Sequence, residues 1–270
     1  MNTYDKVNIM TDKILERREG PIAHIIFNQP EKRNAVSLEM WTAVNEAINT
    51  LATDRSVRVL ILSGAGGKSF IAGADISKFE SERASKEAVT QYNQMTKKVY
   101  DGLANFPKPT IAQIDGFCIG GGVGLAASCD MRFCGTASQF AIPAARLGLG
   151  YEYEGVNRLV QIIGPAFTKE VFFTARRFSA QEMASMGFVN KVIDDKDLAS
   201  YCVEVADMIA ANAPLTIEAT KFIANQCILE ESEKDLDACN AKVMTCFESA
   251  DYIEGRRAFM EKRTPIFEGK

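Results

Sequence analysis

The chain has 270 residues, with 31 Lys and Arg against 35 Asp and Glu, one His and seven Cys. At roughly 100–200 residues per domain, this length suits one large domain or one domain with an appendage. Its 47% apolar and 24% charged residues match a soluble globular protein. A net charge of −4 disfavours nucleic-acid binding as the main business, because such domains are strongly basic. The single histidine, His24, excludes His-rich metal sites.

A chain of this size buries about three-quarters of its unfolded surface, so its fold needs no metal and no disulfide. The cysteines are odd in number, form no CxxC pair and sit mostly in apolar stretches. They read as free buried thiols in a reducing compartment. The N-terminus mixes charges from the start, unlike a signal peptide. No window approaches ~18 consecutive apolar residues, so no membrane span is expected. A cytoplasmic location follows as an expectation.

In chain order, Lys13–Glu16 and Ile22–Phe27 flank Glu19-Gly20-Pro21 and predict a β-hairpin. Ser37 is a candidate N-cap for a helix carrying Ala43, Val44, Ala47, Ile48 and Leu51 on one face. Val57–Leu62 predicts a strand, residues 86–105 a helix, and Thr110–Ile114 a second strand. A small-residue helix follows over 121–128, then a strand at Met131–Cys134. Beyond residue 150 helices dominate: 155–163, 165–174, 179–186, 196–212, 214–227, 232–248 and 250–262. Alternation followed by a helical run predicts an α/β core over 1–200 and a C-terminal helical region over 201–270.

Two glycine-rich segments stand at strand-to-helix junctions: Ser69 to Ile76, and Asp115 to Gly124. Unpaired N–H groups at such junctions suit an anion or a developing oxyanion, and glycine admits close approach of a ligand to the backbone. A tight turn with close helix packing is the alternative for either loop alone. Gly122-Val123-Gly124-Leu125-Ala126-Ala127 fits a dinucleotide fingerprint, but the acidic residue expected about 20 positions on is missing. No P-loop occurs. His24 reads as structural and Asp75 as a cap for the following helix. Cys118 has no basic neighbour to make it a nucleophile. Phe172, Phe173 and the methionines read as core or acyl-pocket lining, and the depth of such a pocket depends on the segment Lys78–Met95.

The stretches Asn28 to Ala35, Phe70 to Ile76, Asp115 to Gly122 with Cys129-Asp130, Gln139 to Pro143, Met186 to Val192 and Glu254 to Arg263 together resemble the crotonase, or enoyl-CoA hydratase/isomerase, superfamily. They occur in that family's order across nearly the whole chain. The resemblance implies a spiral of ββα units with a C-terminal helical oligomerisation region, a homo-trimer or hexamer, and an acyl-CoA thioester substrate. It implies no separate cofactor, since coenzyme A is part of the substrate, and no metal. Position by position it makes the N–H groups of Ala74 and Gly121 the oxyanion hole. Ala72, Gly73, Asp75, Ile76 and Gly120 belong to the same loops, with Arg33 and Ala35 bordering the CoA arm. Phe259 and Lys262 match a terminal helix that reaches the CoA of a neighbouring subunit.

The acid/base positions depart from the hydratase pattern. Gly124 and Ala144 stand where hydratases place their two glutamates, and neither can move a proton. Two-glutamate hydration is therefore in doubt. Glu152 matches the acidic residue of the dienoyl-CoA isomerase branch, and Tyr151 the tyrosine of methylmalonyl-CoA decarboxylase. Glu154 is a weaker candidate, since acidic residues near helix starts also serve the dipole. The expectation is an acyl-CoA enzyme that stabilises a thioester enolate. The alternatives are a non-catalytic acyl-CoA-binding or scaffold homologue and a Tyr151-dependent decarboxylase.

Overall fold

The computed structural model describes residues 6–78 and 85–270. Residues 79–84 of the Lys78–Met95 segment therefore lie outside the described residues. The chain opens with strands β1 (Lys6–Thr11), β2 (Ile14–Glu19) and β3 (Ile22–Phe27). β2 and β3 form the predicted hairpin, in register from Ile14 opposite Phe27 to Glu19 opposite Ile22. Helix α1 (Leu38–Thr53) starts at Ser37, whose hydroxyl accepts the Met40 N–H. Such a cap is worth about 1 kcal/mol.

Three ββα turns follow. The first is β4 (Val59–Gly64), β5 (Ser69–Ile71) and α2 (Lys86–Ala104). The second is β6 (Thr110–Ile114), β7 (Phe117–Ile119) and α3 (Gly121–Ala127). The third is β8 (Met131–Gly135), β9 (Gln139–Ala141) and α4 (Tyr153–Thr174). In every turn the first strand joins a seven-stranded sheet and the second a four-stranded one. The large sheet runs β1-β2-β3-β4-β6-β8-β11 and the small one β10-β9-β7-β5, with β10 at Phe178–Ser179 and β11 at Lys191–Ile193. From β3 onward the large sheet is parallel. This is the expected spiral of ββα units.

The setting of β4 explains why Val59 to Leu62 is apolar at every position. Leu60 and Leu62 face an inner core that includes Trp41 and Phe70. Val59 and Ile61 face Leu198, Cys202 and Ala206 of α6 (Leu198–Ala210) on the other side. A parallel strand covered on both faces has no polar side, and each fully buried aliphatic side chain contributes about 1.5–3 kcal/mol. The proposed boundary at residue 201 falls within α6, which packs against β3, β4, β6 and β8. Helix α5 (Ala180–Ser185) precedes β11, and α7 (Pro214–Cys227), α8 (Leu236–Glu248) and α9 (Ala250–Glu261) complete the chain. Lys221 of α7 is tied to Asp130 at 2.7 Å.

The two helices expected on either side of residue 164 meet as one kinked helix, α4, bent where Gly164 (φ 73°, ψ 167°) precedes Pro165. All seven cysteines are free thiols. Cys227 is exposed and Cys246 only half-buried, which corrects the expectation that they are buried. Phe172 packs inward, whereas Phe173 is 75% exposed and is neither core nor pocket lining. Neighbours on a helix lie about 100° apart, so one faces in and the other out. Met40 and Met183 are core, but Met208, Met244 and Met260 are exposed. His24 is buried in β3, its Nε2 3.6 Å from the Glu19 carboxylate, as a structural residue would be. Among the described residues, no helix is long and apolar enough to cross a membrane.

Candidate active site

β5 and β7 are adjacent and parallel, with Ser69 opposite Phe117 and Ile71 opposite Cys118. Parallel neighbours release their chains at the same end of a sheet, which is where α/β folds bind ligands. The two glycine-rich loops therefore emerge side by side. Gly73 (φ 103°) and Gly120 (φ 55°) both take left-handed conformations. A Cβ on Gly120 would stand 3.9 Å from the Gly73 Cα.

The first loop lies against the segment 33–36. Ala72 N–H donates to the Arg33 carbonyl at 3.1 Å, Val36 N–H to Gly73 at 2.9 Å, and Asp75 N–H to Val36 at 3.0 Å. In this parallel bridge Val36 bonds the residues on either side of Ala74, which turns Ala74's own N–H away from it. Asn34 anchors the arrangement from inside. Its amide donates to the carbonyls of Ala65 (3.0 Å) and Ser69 (2.7 Å), and its oxygen accepts the Gln29 N–H at 2.9 Å.

The second donor arises from the start of a helix. Gly121 is the first residue of α3, so no preceding turn offers its N–H an acceptor. Among the described residues, neither the Ala74 nor the Gly121 N–H donates a hydrogen bond. Both residues line one cavity of about 360 Å³.

The other wall of that cavity carries side chains. Tyr151 and Glu152 precede α4 and line it. The Glu152 carboxylate accepts from the Asn93 amide at 3.1 Å. The Tyr151 ring meets Phe172 edge-on, centroids 4.9 Å apart. Also lining it, Lys97 pairs with Glu154 at 3.0 Å and Asp101 at 3.2 Å. Arg158 bridges Asp101 (3.3 Å) and the Ser128 hydroxyl (2.7 Å). The hydrogen bond from Lys97 holds the Glu154 carboxyl below its usual range. Sequence reasoning missed the Lys97–Asp101–Arg158 chain. Its spacings, Lys97 to Asp101 and Glu154 to Arg158, are ordinary i,i+4 pairs, and only ion pairs formed between α2 and α4 in the fold join them.

The remaining expected residues fall into two groups. Arg33, Ala35 and Ala72 to Ile76 come together through the bridge just described, with Gly120 beside them. Asp75 is 6% exposed, accepts from the Ser77 N–H and hydroxyl, and pairs with Lys32 at 2.8 Å. It heads a 3₁₀ turn, Ile76–Lys78. Burial pushes its carboxyl up, but the Lys32 and Ser77 hydrogen bonds outweigh that and hold it below the ordinary value. Ile76 is exposed, and the Arg33 guanidinium lies 5.1 Å from the Phe117 ring centroid. Phe259, 83% exposed, and Lys262 lie at the end of α9 and do not line the cavity. Burial pushes the Cys118 thiol well up, which leaves it protonated and inert.

The profile of the enoyl-CoA hydratase/isomerase family matches residues 17–270. The chain belongs to the enoyl-CoA hydratase/isomerase family. It is 31% identical over 252 residues to a short-chain-enoyl-CoA hydratase of Clostridium acetobutylicum, covering 93% of this chain and 96% of that one. It is 32% identical over 268 residues to a carnitinyl-CoA dehydratase of Salmonella typhi, covering 97% and 100%. A crystal structure from Magnetospirillum magneticum, described as an enoyl-CoA hydratase/carnithine racemase, superposes with a TM-score of 0.89 at 36% identity, covering 96% and 97%. As a member of the enoyl-CoA hydratase/isomerase family the chain is an enzyme, with Gly124 inside α3 and Ala144 buried in the core rather than lining the cavity.

Proposed function

We propose that this enzyme binds an acyl-CoA thioester with its carbonyl oxygen between the N–H groups of Ala74 and Gly121. There it stabilises the enolate formed when a proton leaves Cα. The observation that carries the reading is that Ala74 and Gly121, whose N–H groups donate no hydrogen bond among the described residues, line one cavity together with Glu152. Two fixed donors favour the oxygen as it gains charge, and losing one such donor typically costs about 10²–10³ in rate. The CoA arm runs past Arg33, Ala35 and the loop from Ala72 to Ile76, with Gly120 alongside.

Glu152 is the base in this reading. One carboxylate moves a proton from one carbon to another, which suits isomerisation or enolate protonation. Adding water needs a second proton-transfer group, and Gly124 and Ala144 supply none. The test follows deuterium uptake at Cα and hydration of crotonyl-CoA. Wild type should exchange Cα protons and hydrate slowly or not at all. Glu152→Gln should lose exchange by about 10²–10⁴ with CoA affinity nearly unchanged. Hydration at ordinary hydratase rates, or a fully active Glu152→Gln, would overturn the assignment. Tyr151, on the same wall, would then be the residue to test for decarboxylation of a malonyl-type thioester. Tight CoA binding without exchange on any thioester would favour the non-catalytic scaffold.

The working form in this reading is a homo-trimer or hexamer held through the helices after residue 213. Support comes from Phe247, Ile253, Phe259 and Met260, all large, apolar and exposed on α8 and α9. Phe259 and Lys262 then contribute to the site of a neighbouring subunit. A monomer in sedimentation at micromolar concentration would contradict this.

A further inference from the structure

The space beside Gly124 is filled. A Cβ built on Gly124 would stand 2.7 Å from the Tyr100 hydroxyl oxygen, 2.8 Å from Cζ and 2.9 Å from Cε2, closer than side chains tolerate. The ring comes from α2, more than twenty residues earlier in the chain. Its position is fixed on two sides. Trp41 meets it edge-on with centroids 5.8 Å apart, and Trp41 is itself buried, its indole N–H donating to the Tyr92 hydroxyl at 2.9 Å. The Tyr100 hydroxyl donates to the Gly121 carbonyl at 2.9 Å, and Tyr100 and Gly121 line the same cavity. Burial, reinforced by Tyr151 and Tyr92, pushes the phenol well above its ordinary value, so it stays a donor across the working pH range.

We infer that Tyr100 and Gly124 form a matched pair: the phenol occupies the volume that a side chain at position 124 would need, and serves as a positioning residue that holds Gly121. Gly124 carries no side chain because the ring needs that space. The inference has two halves. The packing half stands on geometry alone. The positioning half rests on the oxyanion reading of Gly121. A donor displaced by a fraction of an ångström loses much of its effect on a transition state, so a hydrogen bond fixing Gly121 matters to rate rather than to affinity.

The packing half is tested by thermal unfolding of the full-length protein in four forms: wild type, Gly124→Ala, Tyr100→Ala and the double variant. Alanine ordinarily stabilises a helix interior relative to glycine. With Tyr100 present, Gly124→Ala should lower Tm, because its methyl group displaces the ring. In the Tyr100→Ala background the same change should raise Tm. Shifts of the same sign in both backgrounds would overturn the pair.

The positioning half is tested with Tyr100→Phe, which keeps the ring and removes the hydroxyl. Cα exchange of butyryl-CoA in deuterated buffer should show kcat falling about tenfold, the value of one hydrogen bond. KM should stay within about twofold. A loss of Tm with kcat unchanged, or a rise in KM with kcat unchanged, would reduce Tyr100 to packing and overturn this half. If wild type exchanges no proton with butyryl-CoA or any other thioester, the oxyanion reading and the positioning half fail together, while the four-form cycle still decides the packing half.

Discussion

The two sides of the cavity are built by different means. On one side Ala74 and Gly121 present backbone N–H groups, each left free by its local geometry: a parallel bridge in which Val36 bonds the flanking residues, and the first residue of a helix. On the other side stand Tyr151, Glu152 and Lys97, Asp101, Glu154 and Arg158, the last four joined by ion pairs within and between α2 and α4. The first side depends on backbone conformation and accepts many side chains. The second depends on which side chain occupies each position.

Removing a donor from the backbone side should have the largest effect. Gly121→Pro lacks the N–H, yet proline is tolerated at the first position of a helix, so α3 should persist. Cα exchange should fall by about 10²–10³ while the circular-dichroism spectrum stays native. An active Gly121→Pro protein would break the assignment of that side.

The next largest effect tests how the backbone side is supported. Asn34→Ala removes one acceptor and two donors from a buried residue, stranding the Gln29 N–H and the Ala65 and Ser69 carbonyls. Each stranded group costs about 1–3 kcal/mol. Denaturant unfolding should show that loss, and exchange should weaken with it as the bridge loosens. Exchange that remains at the wild-type rate would show that Ala74 is held without Asn34.

These loops were legible in the sequence because small residues and glycines state a backbone requirement directly. The ββα spiral was legible through the family's motifs, and most helices and strands β2, β3, β4, β6 and β8 of the large sheet through local pattern, whereas β1 and β11 were not. Strands β5, β7 and β9 were not, since three residues are too few to display an alternation. Tyr100 escaped notice for a different reason. On α2 it reads as one more apolar position, and only the fold brings its hydroxyl to Gly121 and its ring to Gly124. Glu152 was named a candidate from the family resemblance, but its contact with Asn93 was not legible.

A smaller effect concerns pH at the rim of the backbone side. Asp75 is held below the ordinary carboxylate range in the folded chain. It therefore contributes stability that is present above its unfolded value of about 4 and is lost as pH falls through the folded value. Asp75→Asn should be less stable than wild type at neutral pH, and the gap in Tm should narrow in acid. A gap that is constant or widens on acidification would contradict the Lys32–Asp75 pairing as a source of stability.

The central claim is the placement of the thioester oxygen, and a structure with a bound acyl-CoA tests it most directly. The account predicts the carbonyl oxygen at about 2.7–3.1 Å from both the Ala74 and Gly121 nitrogens, with Cα facing Glu152. An acyl-CoA whose carbonyl lies beyond hydrogen-bond reach of either nitrogen, or whose Cα faces away from the Tyr151–Glu152 wall, would contradict it.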